Sequence, residues 1–320
     1  MTDAGTPGSS PTEQLGATLS RSLGDAEITQ LRRLSGGASR ETWSFCADGR
    51  PLVVQRQRAG DERDMLQEAA IVRLARSGGV PVAELLVAER AEDGSAFMVL
   101  EAVSGETIAR KIQRDEEYGQ ARTVLVPELG AALARIHALD PCAVPGLQSN
   151  DQIEYYTGLM RSLGEPHPVL ELVRNWLVDH RPPSQSERLV HGDFRLGNVI
   201  VGTDGLGAVI DWELAHLGDP MEDLGWLCVK AWRFGGEAPV AGLGDYDDLF
   251  DAYEAAGGGS VDPDVVRWWE VLGTWKWGVI CILQASAHLG GSVRSHELAA
   301  IGRRVCENEY DLFLALDGRW

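Results

Sequence analysis

The segment Leu189–Asp223, which reads LVHGDFRLGNVIVGTDGLGAVIDWELAHLGDPMED, constrains the fold more than any other part of the chain. Two short apolar runs, Val199–Val201 and Ala208–Ile210, flank the turn-rich residues Gly202–Gly205. Strand-like runs on either side of a turn rich in Gly and Asp are typical of a β-hairpin. The sequence therefore predicts a two-stranded ribbon here.

Polar residues are concentrated around the two outer ends of this ribbon. His191, Asp193 and Asn198 precede the first strand, and Asp211 follows the second. Because a hairpin brings its outer ends together, we expect Asn198 to lie near Asp211. Hard metal ions prefer carboxylate and amide oxygens, and a nearby carboxylate can orient a hydroxyl group. The cluster predicts a metal site beside an acid–base group.

Composition and charge exclude several classes of protein. The 320 residues are 44% hydrophobic and 24% charged, as in ordinary globular proteins. A net charge of −19 argues against a nucleic-acid binder; it is compatible with a cationic substrate, although surface acidity more often serves solubility. The five cysteines form no CxxC pair, and the polar first residues contain no apolar signal segment. We therefore expect a soluble, cytoplasmic protein that binds neither nucleic acid nor membranes.

The chain divides into three regions by pattern. Residues 1–24 are expected to be a flexible tail with a short helix, residues 25–103 a strand-rich domain, and residues 104–320 a mostly helical domain. Helical spacing of apolar residues predicts the main helices. They cover Thr12–Leu23, Asp64–Ala75, Thr123–Leu139, Pro168–His180, Met221–Trp232, Tyr246–Ala256, Pro263–Leu289 and His296–Leu316.

The tryptophans of the late helices have two interpretations. Trp268, Trp269, Trp275 and Trp277 lie in the sequence RWWEVLGTWKWGVI. They could form the walls of an acceptor pocket, because tryptophan offers broad apolar contact and one hydrogen-bond donor. The alternative, which we favour, is that they pack between helices.

The spacing His191-x-Asp193-x-x-x-x-Asn198, followed by Ile210-Asp211, resembles the catalytic core of the protein-kinase-like superfamily. The longer stretch HGDFRLGN…VIDWELAHLGDPMEDLGW is similar to the aminoglycoside phosphotransferase family, in particular to the branch that includes kinase-like domains fused to acyl-CoA dehydrogenases. The resemblance extends from about residue 25 to 290. It implies an α+β, two-lobed protein-kinase-like fold, with a small antiparallel-sheet N-lobe, a mostly helical C-lobe and a nucleotide in the cleft.

The resemblance assigns roles to the residues around the hairpin. Asp193 matches the catalytic aspartate, which accepts or orients the hydroxyl proton of the substrate. Asn198 and Asp211 match the two ligands of Mg²⁺. His191 matches a residue that braces the catalytic loop, and Arg195 is a candidate for stabilising the transferred charge.

Further positions are implied in both lobes. Gly36, Gly37 and Ser39 resemble the loop that covers the phosphates, although the GxGxxG of protein kinases is absent. Glu101 and Val103 resemble the linker positions whose backbone groups read the adenine edge. Asp219 and Asp223 match acids that hold loops in place, although an acid at such a position could equally be an N-cap.

The strand that should carry a phosphate-binding lysine contains none; it reads Val53-Val54-Gln55-Arg56-Gln57-Arg58. Strict register places Gln55 at the lysine position, whereas charge favours Arg56. A shift of one residue moves a side chain to the opposite face of a strand, so the two cannot serve equally. We predict Arg56, because arginine can bridge a phosphate and the helix glutamate that the resemblance implies, Glu68.

These features together predict an enzyme that uses ATP and Mg²⁺ to phosphorylate a hydroxyl group of a small molecule. A nucleotide-binding pseudokinase without turnover is an alternative, supported only by the missing strand lysine. A protein kinase is a weaker one, because no activation segment follows Asp211. The acceptor stays open among aminoglycosides, hydroxyacyl compounds, choline-like alcohols and sugars, and we expect a monomer or homodimer.

Overall fold

The computed structural model describes residues 10–34, 40–58, 63–183 and 187–319. Internal contacts divide the chain into two units. The first contains the described residues up to Ser77 together with Val82–Ser104, and the second contains Gly78–Pro81 and the residues from Gly105 onward. The division after Ser104 lies one residue from the boundary expected from the sequence.

A five-stranded antiparallel sheet forms the centre of the first unit. Its order is β1-β2-β3-β5-β4. The strands are β1 (Ile28–Arg33), β2 (Arg40–Ala47), β3 (Arg50–Gln57), β4 (Leu85–Arg90) and β5 (Ala96–Glu101). Because side chains alternate between the faces of a sheet, its central strands supply two separate apolar surfaces.

One helix covers each of these surfaces. Helix α1 (Pro11–Ser22) begins with a capping box between Ser10 and Glu13, and it packs on the face that holds Phe97. Helix α2 (Met65–Ser77) packs on the opposite face, which holds Met98. The short helix expected in the N-terminal tail is therefore an integral part of this unit.

The second unit is mostly helical. Its described helices are α3 (Ala109–Arg114), α4 (Gly119–His137), α5 (Gln152–Ser162), α6 (Pro168–Asp179), α7 (Met221–Cys228), α8 (Tyr246–Ala255), α9 (Pro263–Leu289), α10 (His296–Gly302) and α11 (Val305–Leu316). In the described part of the chain, no helix combines the length and apolar character needed to cross a membrane.

Helix α9 is the centre of the second unit and packs against α5, α6 and α11. The indole N–H of Trp275 donates to the backbone oxygen of Leu170 at 2.9 Å, and that of Trp268 donates to Leu177 at 3.1 Å. Both indoles are buried. The interpretation of these two tryptophans as helix–helix core is therefore confirmed.

Two small ribbons complete the second unit. Strand β6 (Arg188–Val190) pairs with β9 (His216–Gly218), and β7 (Val199–Val201) pairs with β8 (Leu206–Val209), both antiparallel. The β7–β8 pair is the hairpin that the sequence predicts, with its second strand beginning and ending earlier than expected. The backbone N–H of Ile210 donates to the oxygen of Asn198 at 3.0 Å, so the two outer ends meet.

Two predicted helices are shorter than expected. The helix expected over Met221–Trp232 ends at Cys228, and a 3₁₀ turn follows over Lys230–Arg233. The helix expected over His296–Leu316 is two helices, because the turn after Gly302 tightens to i→i−3 hydrogen bonds. Helices α3 and α5 were not predicted, although Asp151 is a recognisable N-cap for α5.

Candidate active site

The loop that the resemblance assigns to catalysis, residues 191–198, connects β6 to β7 and is called the catalytic loop below; its sharpest turn is at Gly192. This glycine has a φ of +78°, a conformation that residues with a Cβ rarely adopt. A Cβ at this position would lie 2.4 Å from the backbone oxygen of Leu214. Only glycine therefore fits between His191 and Asp193, and the turn aims the Asp193 side chain.

A buried carboxylate holds this turn. Asp223, on α7, accepts the backbone N–H groups of His191 at 2.7 Å and Gly192 at 2.9 Å. Nε2 of His137 lies 3.0 Å from the same carboxylate. Burial alone raises the pKa of Asp223, but the hydrogen bond with His137, the electrostatic interactions with His137 and His191 and the backbone N–H of His191 outweigh it and hold the pKa below its usual range. Asp223 therefore stays ionised as the anchor of the loop.

His191 links the two ends of the hairpin. It is fully buried, and burial lowers the pKa of its ring. Its Nε2 lies 3.1 Å from the backbone oxygen of Ile210, and its Nδ1 accepts the backbone N–H of Asp193 at 3.3 Å. One nitrogen must donate and the other accept, so the ring is neutral, with its proton on Nε2. The histidine therefore positions Asp193 and Ile210, the residue before Asp211.

Three donors surround the Asp193 carboxylate. Oδ1 accepts from the indole N–H of Trp226 at 2.8 Å and from Nε of Arg195 at 3.1 Å. Oδ2 accepts from the side-chain amide of Asn198 at 2.6 Å. These charge-assisted hydrogen bonds fix the orientation of the carboxylate, whose side chain is 16% exposed. Trp226 was not among the predicted site residues, because the sequence pattern marks it only as an apolar residue of a helix.

The two residues predicted to bind the metal, Asn198 and Asp211, lie at the two outer ends of the hairpin. The amide of Asn198 donates to both the backbone and the side chain of Asp193, which leaves its Oδ1 for a cation. Asp211 has a φ of +67°, an unusual backbone conformation for a residue with a side chain and one that is common at functional sites. One carboxylate and one amide oxygen suit Mg²⁺, which completes its coordination with water and phosphate. Within the described ranges, no cluster of three or more His, Cys, Asp or Glu residues could hold a metal by itself.

In the first unit, Glu68 pairs with Arg40, which is not among the predicted site residues. Nη1 of Arg40, on β2, donates to Oε1 of Glu68 at 2.6 Å, and its other terminal nitrogen contacts the second carboxylate oxygen. Both residues are 5% exposed. Nη1 of Arg40 also lies 3.3 Å from the side-chain oxygen of Gln55. Arg40 and Gln55 thus lie on the face of the sheet that α2 covers.

The predicted pairing of Arg56 with Glu68 is wrong. Arg56 donates to the side chain of Ser95 at 3.0 Å and pairs with Asp93. It lies opposite Phe97 in the β3–β5 register, on the face that α1 covers. The single-residue offset from Gln55 therefore sends its guanidinium to the other side of the sheet.

Of the remaining residues predicted to contact the nucleotide, the structure describes Glu101 and Val103. Gly36, Gly37 and Ser39 lie outside the described residues. Glu101 ends β5, and its side chain pairs with Arg50 at 3.4 Å. Val103 follows the strand, and within the described ranges neither of its backbone groups forms a hydrogen bond.

Comparison with known proteins gives the relationship of the chain. The sequence model of the phosphotransferase enzyme family matches residues 30–269. Acyl-CoA dehydrogenase family member 10 of Mus musculus is 28% identical over 236 residues, which are 68% of this chain and 22% of the mouse protein. Family member 11 of Gallus gallus is 27% identical over 222 residues, 63% of this chain and 28% of that protein. The chain thus spans only about a quarter of the length of these relatives.

Solved structures show the fold. A Ralstonia eutropha protein assigned as an aminoglycoside phosphotransferase superposes with a TM-score of 0.76 at 23% identity, over 93% of this chain and 95% of that one. A spectinomycin phosphotransferase, solved with ADP and spectinomycin, superposes with a TM-score of 0.68 at 14% identity, over 97% and 99% of the two chains. The expected two-lobed, kinase-like architecture is confirmed. The family match covers most of the sequence, including the whole catalytic loop and hairpin, and the chain therefore belongs to the phosphotransferase enzyme family.

Proposed function

We propose that this phosphotransferase uses ATP and Mg²⁺ to phosphorylate a hydroxyl group of a small molecule. The observation that carries the proposal is the Asp193 carboxylate, held by donors from Arg195, Asn198 and Trp226. A carboxylate fixed in this way can accept or orient the proton of an attacking hydroxyl. Phosphoryl transfer depends mainly on positioning and charge neutralisation, so few reactive side chains are needed.

The metal would bind to Asn198 and Asp211. When bound, Mg²⁺ neutralises charge on the phosphate oxygens. The chain itself contributes the arrangement, because His191 ties the loop before Asp193 to the carbonyl that precedes Asp211. Arg195 supplies a further positive charge beside the carboxylate for the transferred group.

The nucleotide residues of the first unit are revised in this proposal. Protein kinases require an ion pair between a strand lysine and a helix glutamate. The buried pair of Arg40 and Glu68 supplies the same charges, so we assign the phosphate-binding guanidinium to Arg40 instead of Arg56. Gly36, Gly37, Ser39, Glu101 and Val103 stay predicted nucleotide contacts.

Two alternatives differ from this proposal. A pseudokinase would bind the nucleotide without turnover; the Arg40–Glu68 pair weakens that interpretation, because it supplies the cation whose absence supported it. A hydroxyacyl-compound kinase is a narrower form of the proposal, favoured by the similarity to acyl-CoA dehydrogenase family members 10 and 11. We also propose that the protein acts in the cytoplasm, as a monomer or homodimer.

Replacing Asp193 tests the proposed function. We expect Asp193→Asn to reduce ATP-dependent phosphorylation by about 10²–10⁴-fold, the usual contribution of a positioned acid–base group. Binding of Mg·ATP should be retained, because the carboxylate acts on the acceptor. The measurements are ATP consumption over a panel of hydroxyl compounds and calorimetry with Mg·ATP.

Asp204→Asn is the matched control, since it makes the same change at an exposed position in the turn of the same hairpin. Its activity should equal that of the wild type. A near wild-type rate in Asp193→Asn would show that the base is assigned wrongly. Binding of Mg·ATP without consumption on any acceptor would favour the pseudokinase.

A further inference from the structure

A buried lysine next to the Asp193 environment has no role in the proposed chemistry. Lys276, on α9, is only 5% exposed. Its ammonium lies 4.7 Å from the ring centroid of Trp226 and 5.6 Å from that of Tyr156. Trp226 is the indole that donates to Asp193. One side chain therefore separates this cation from the predicted base.

The charge of Lys276 is only partly balanced. Its ammonium is 3.7 Å from Oε1 of Glu222, and Oε2 of Glu222 already pairs with His216 at 3.2 Å. In the part of the chain that the structure describes, the ammonium forms no hydrogen bond. Burial alone lowers the pKa of Lys276, but interactions with Tyr156 and with the acids Glu222 and Asp193 outweigh it and raise the pKa. The group is thus a charged triple donor without a close acceptor.

Trp226, the ring that Lys276 contacts, belongs to a larger group of aromatic rings that also contacts a second cation. The Trp232 ring lies 5.2 Å from Trp226 and 4.7 Å from Trp277. The guanidinium of Arg195 lies 4.9 Å from the Trp232 ring. Within the described residues, the buried indole N–H groups of Trp232 and Trp277 have no hydrogen-bond partner. The surroundings of Asp193 are therefore rich in donors and positive charge.

We propose that Lys276 binds an anionic oxygen group of the acceptor, such as a carboxylate, while the acceptor hydroxyl meets Asp193. This inference rests on the proposed function and specifies its acceptor. A buried, under-coordinated ammonium gains a charge-assisted hydrogen bond from such a group. A polycationic acceptor would instead meet like charges from Lys276 and Arg195. The net charge of −19 belongs to the whole molecule and is opposite in sign to these two cations beside Asp193.

Three compounds of similar size separate these chemistries. Glycerate is anionic, glycerol is neutral and 3-amino-1,2-propanediol is cationic. Binding to the Mg·ADP-loaded protein is followed by tryptophan fluorescence, which needs no turnover. We expect glycerate to bind most tightly, and we expect Lys276→Met to weaken it about ten- to a hundredfold, the value of one hydrogen bond to a charged group.

Two further variants separate recognition from a structural role. Lys230→Met removes an exposed lysine that pairs with the buried carboxylate of Asp311, and it should leave glycerate binding unchanged. Glu222→Gln removes the competing negative charge, and it should leave glycerate binding equal or tighter. A merely structural role of the cluster would weaken binding in both Lys276→Met and Glu222→Gln.

The binding measurements test the role of Lys276 separately from the proposed kinase activity, because they need no turnover. The inference is overturned when the protein binds glycerate no more tightly than glycerol and 3-amino-1,2-propanediol. It is also overturned when Lys276→Met binds glycerate as tightly as the wild type does. Phosphorylation itself is judged by ATP consumption in the wild type and Asp193→Asn. If neutral or cationic acceptors are phosphorylated, and Lys276→Met phosphorylates them at the wild-type rate, the proposed kinase activity is supported. The proposed anion-binding role of Lys276 is then wrong.

Discussion

The pairing of Glu68 is decided by the face to which each neighbouring side chain points. Arg56 has the right charge but lies on the α1 face, opposite Phe97 in the register. Gln55 has the right face but no charge. Arg40 supplies the charge from the adjacent strand, where it lies opposite Gln57. From the sequence, the cation that replaces the missing lysine was expected on β3, but in the sheet it comes from the neighbouring strand β2.

Exchanging the two arginines tests this assignment. We expect Arg40→Gln to lower Mg·ATP affinity by at least about tenfold, because it removes a guanidinium suited to bidentate phosphate binding. Arg56→Gln makes the same change on the opposite face and should leave the affinity unchanged. Both affinities are measured by calorimetry on the full chain.

A rescue variant shows whether Arg40→Gln loses Mg·ATP affinity because the cation is missing or because the protein unfolds. Breaking a buried ion pair costs about 3–5 kcal/mol, so the thermal stability of Arg40→Gln must be compared with that of the wild type. Adding Gln55→Lys places a cation on the same face and should restore part of the affinity. If Arg56→Gln weakens Mg·ATP binding and Arg40→Gln does not, the phosphate-binding arginine is Arg56 and not Arg40.

At the scale of elements, the catalytic loop is positioned by its neighbours on both sides. Helix α7 supplies Asp223, which accepts the two backbone N–H groups at the turn, and Trp226, which donates to Asp193. The hairpin supplies Asn198 and the carbonyl of Ile210. The hairpin follows from local pattern, but the contribution of α7 comes from a helix 31–33 residues away in the chain.

The turn at Gly192 offers a test at this scale. We expect Gly192→Ala to destabilise the protein by about 1–3 kcal/mol and to lower activity, because the added Cβ meets a backbone oxygen and strains a positive φ. Gly164→Ala is the control, since Gly164 has a φ of +70° in open space. It should cost about 1 kcal/mol and leave activity unchanged. Equal loss in the two variants, by denaturation and by assay, would contradict a specific role for the turn.

At the scale of the whole molecule, each unit has its own apolar core. The first packs α1 and α2 on opposite faces of one sheet, and the second packs helices around α9. Amphipathic spacing predicts most of these helices correctly, because each must bury one apolar face. The buried polar contacts of His137 and His191 with Asp223 are different, since they join separate elements of the chain.

The pH dependence of stability reports the state of His191. Its pKa is lowered in the folded protein, while an unfolded histidine binds a proton near pH 6.5. Below that pH the unfolded state therefore binds more protons, and the free energy of unfolding falls by up to about 1.4 kcal/mol per pH unit. We expect this fall in the wild type and not in His191→Gln. The difference in free energy of unfolding between the two proteins should therefore become smaller from pH 7 to pH 5.

Chemical denaturation of both proteins over this range provides the measurement. His216 has a raised pKa and contributes with the opposite sign, since its stabilisation is lost as pH rises. It is present in both proteins and cancels in the difference. A difference that stays constant from pH 7 to pH 5 would show that His191 titrates normally in the folded state.

The sequence by itself determined the hairpin, the main helices and the positions of Asp193, Asn198 and Asp211. These depend on local pairing and spacing, which a short stretch of chain already specifies. The tertiary structure decided the rest. Arg40 meets Glu68 28 residues away, and Trp226 meets Asp193 33 residues away. Such contacts depend on which sheet face or helix side packs against another, and no local pattern records that choice.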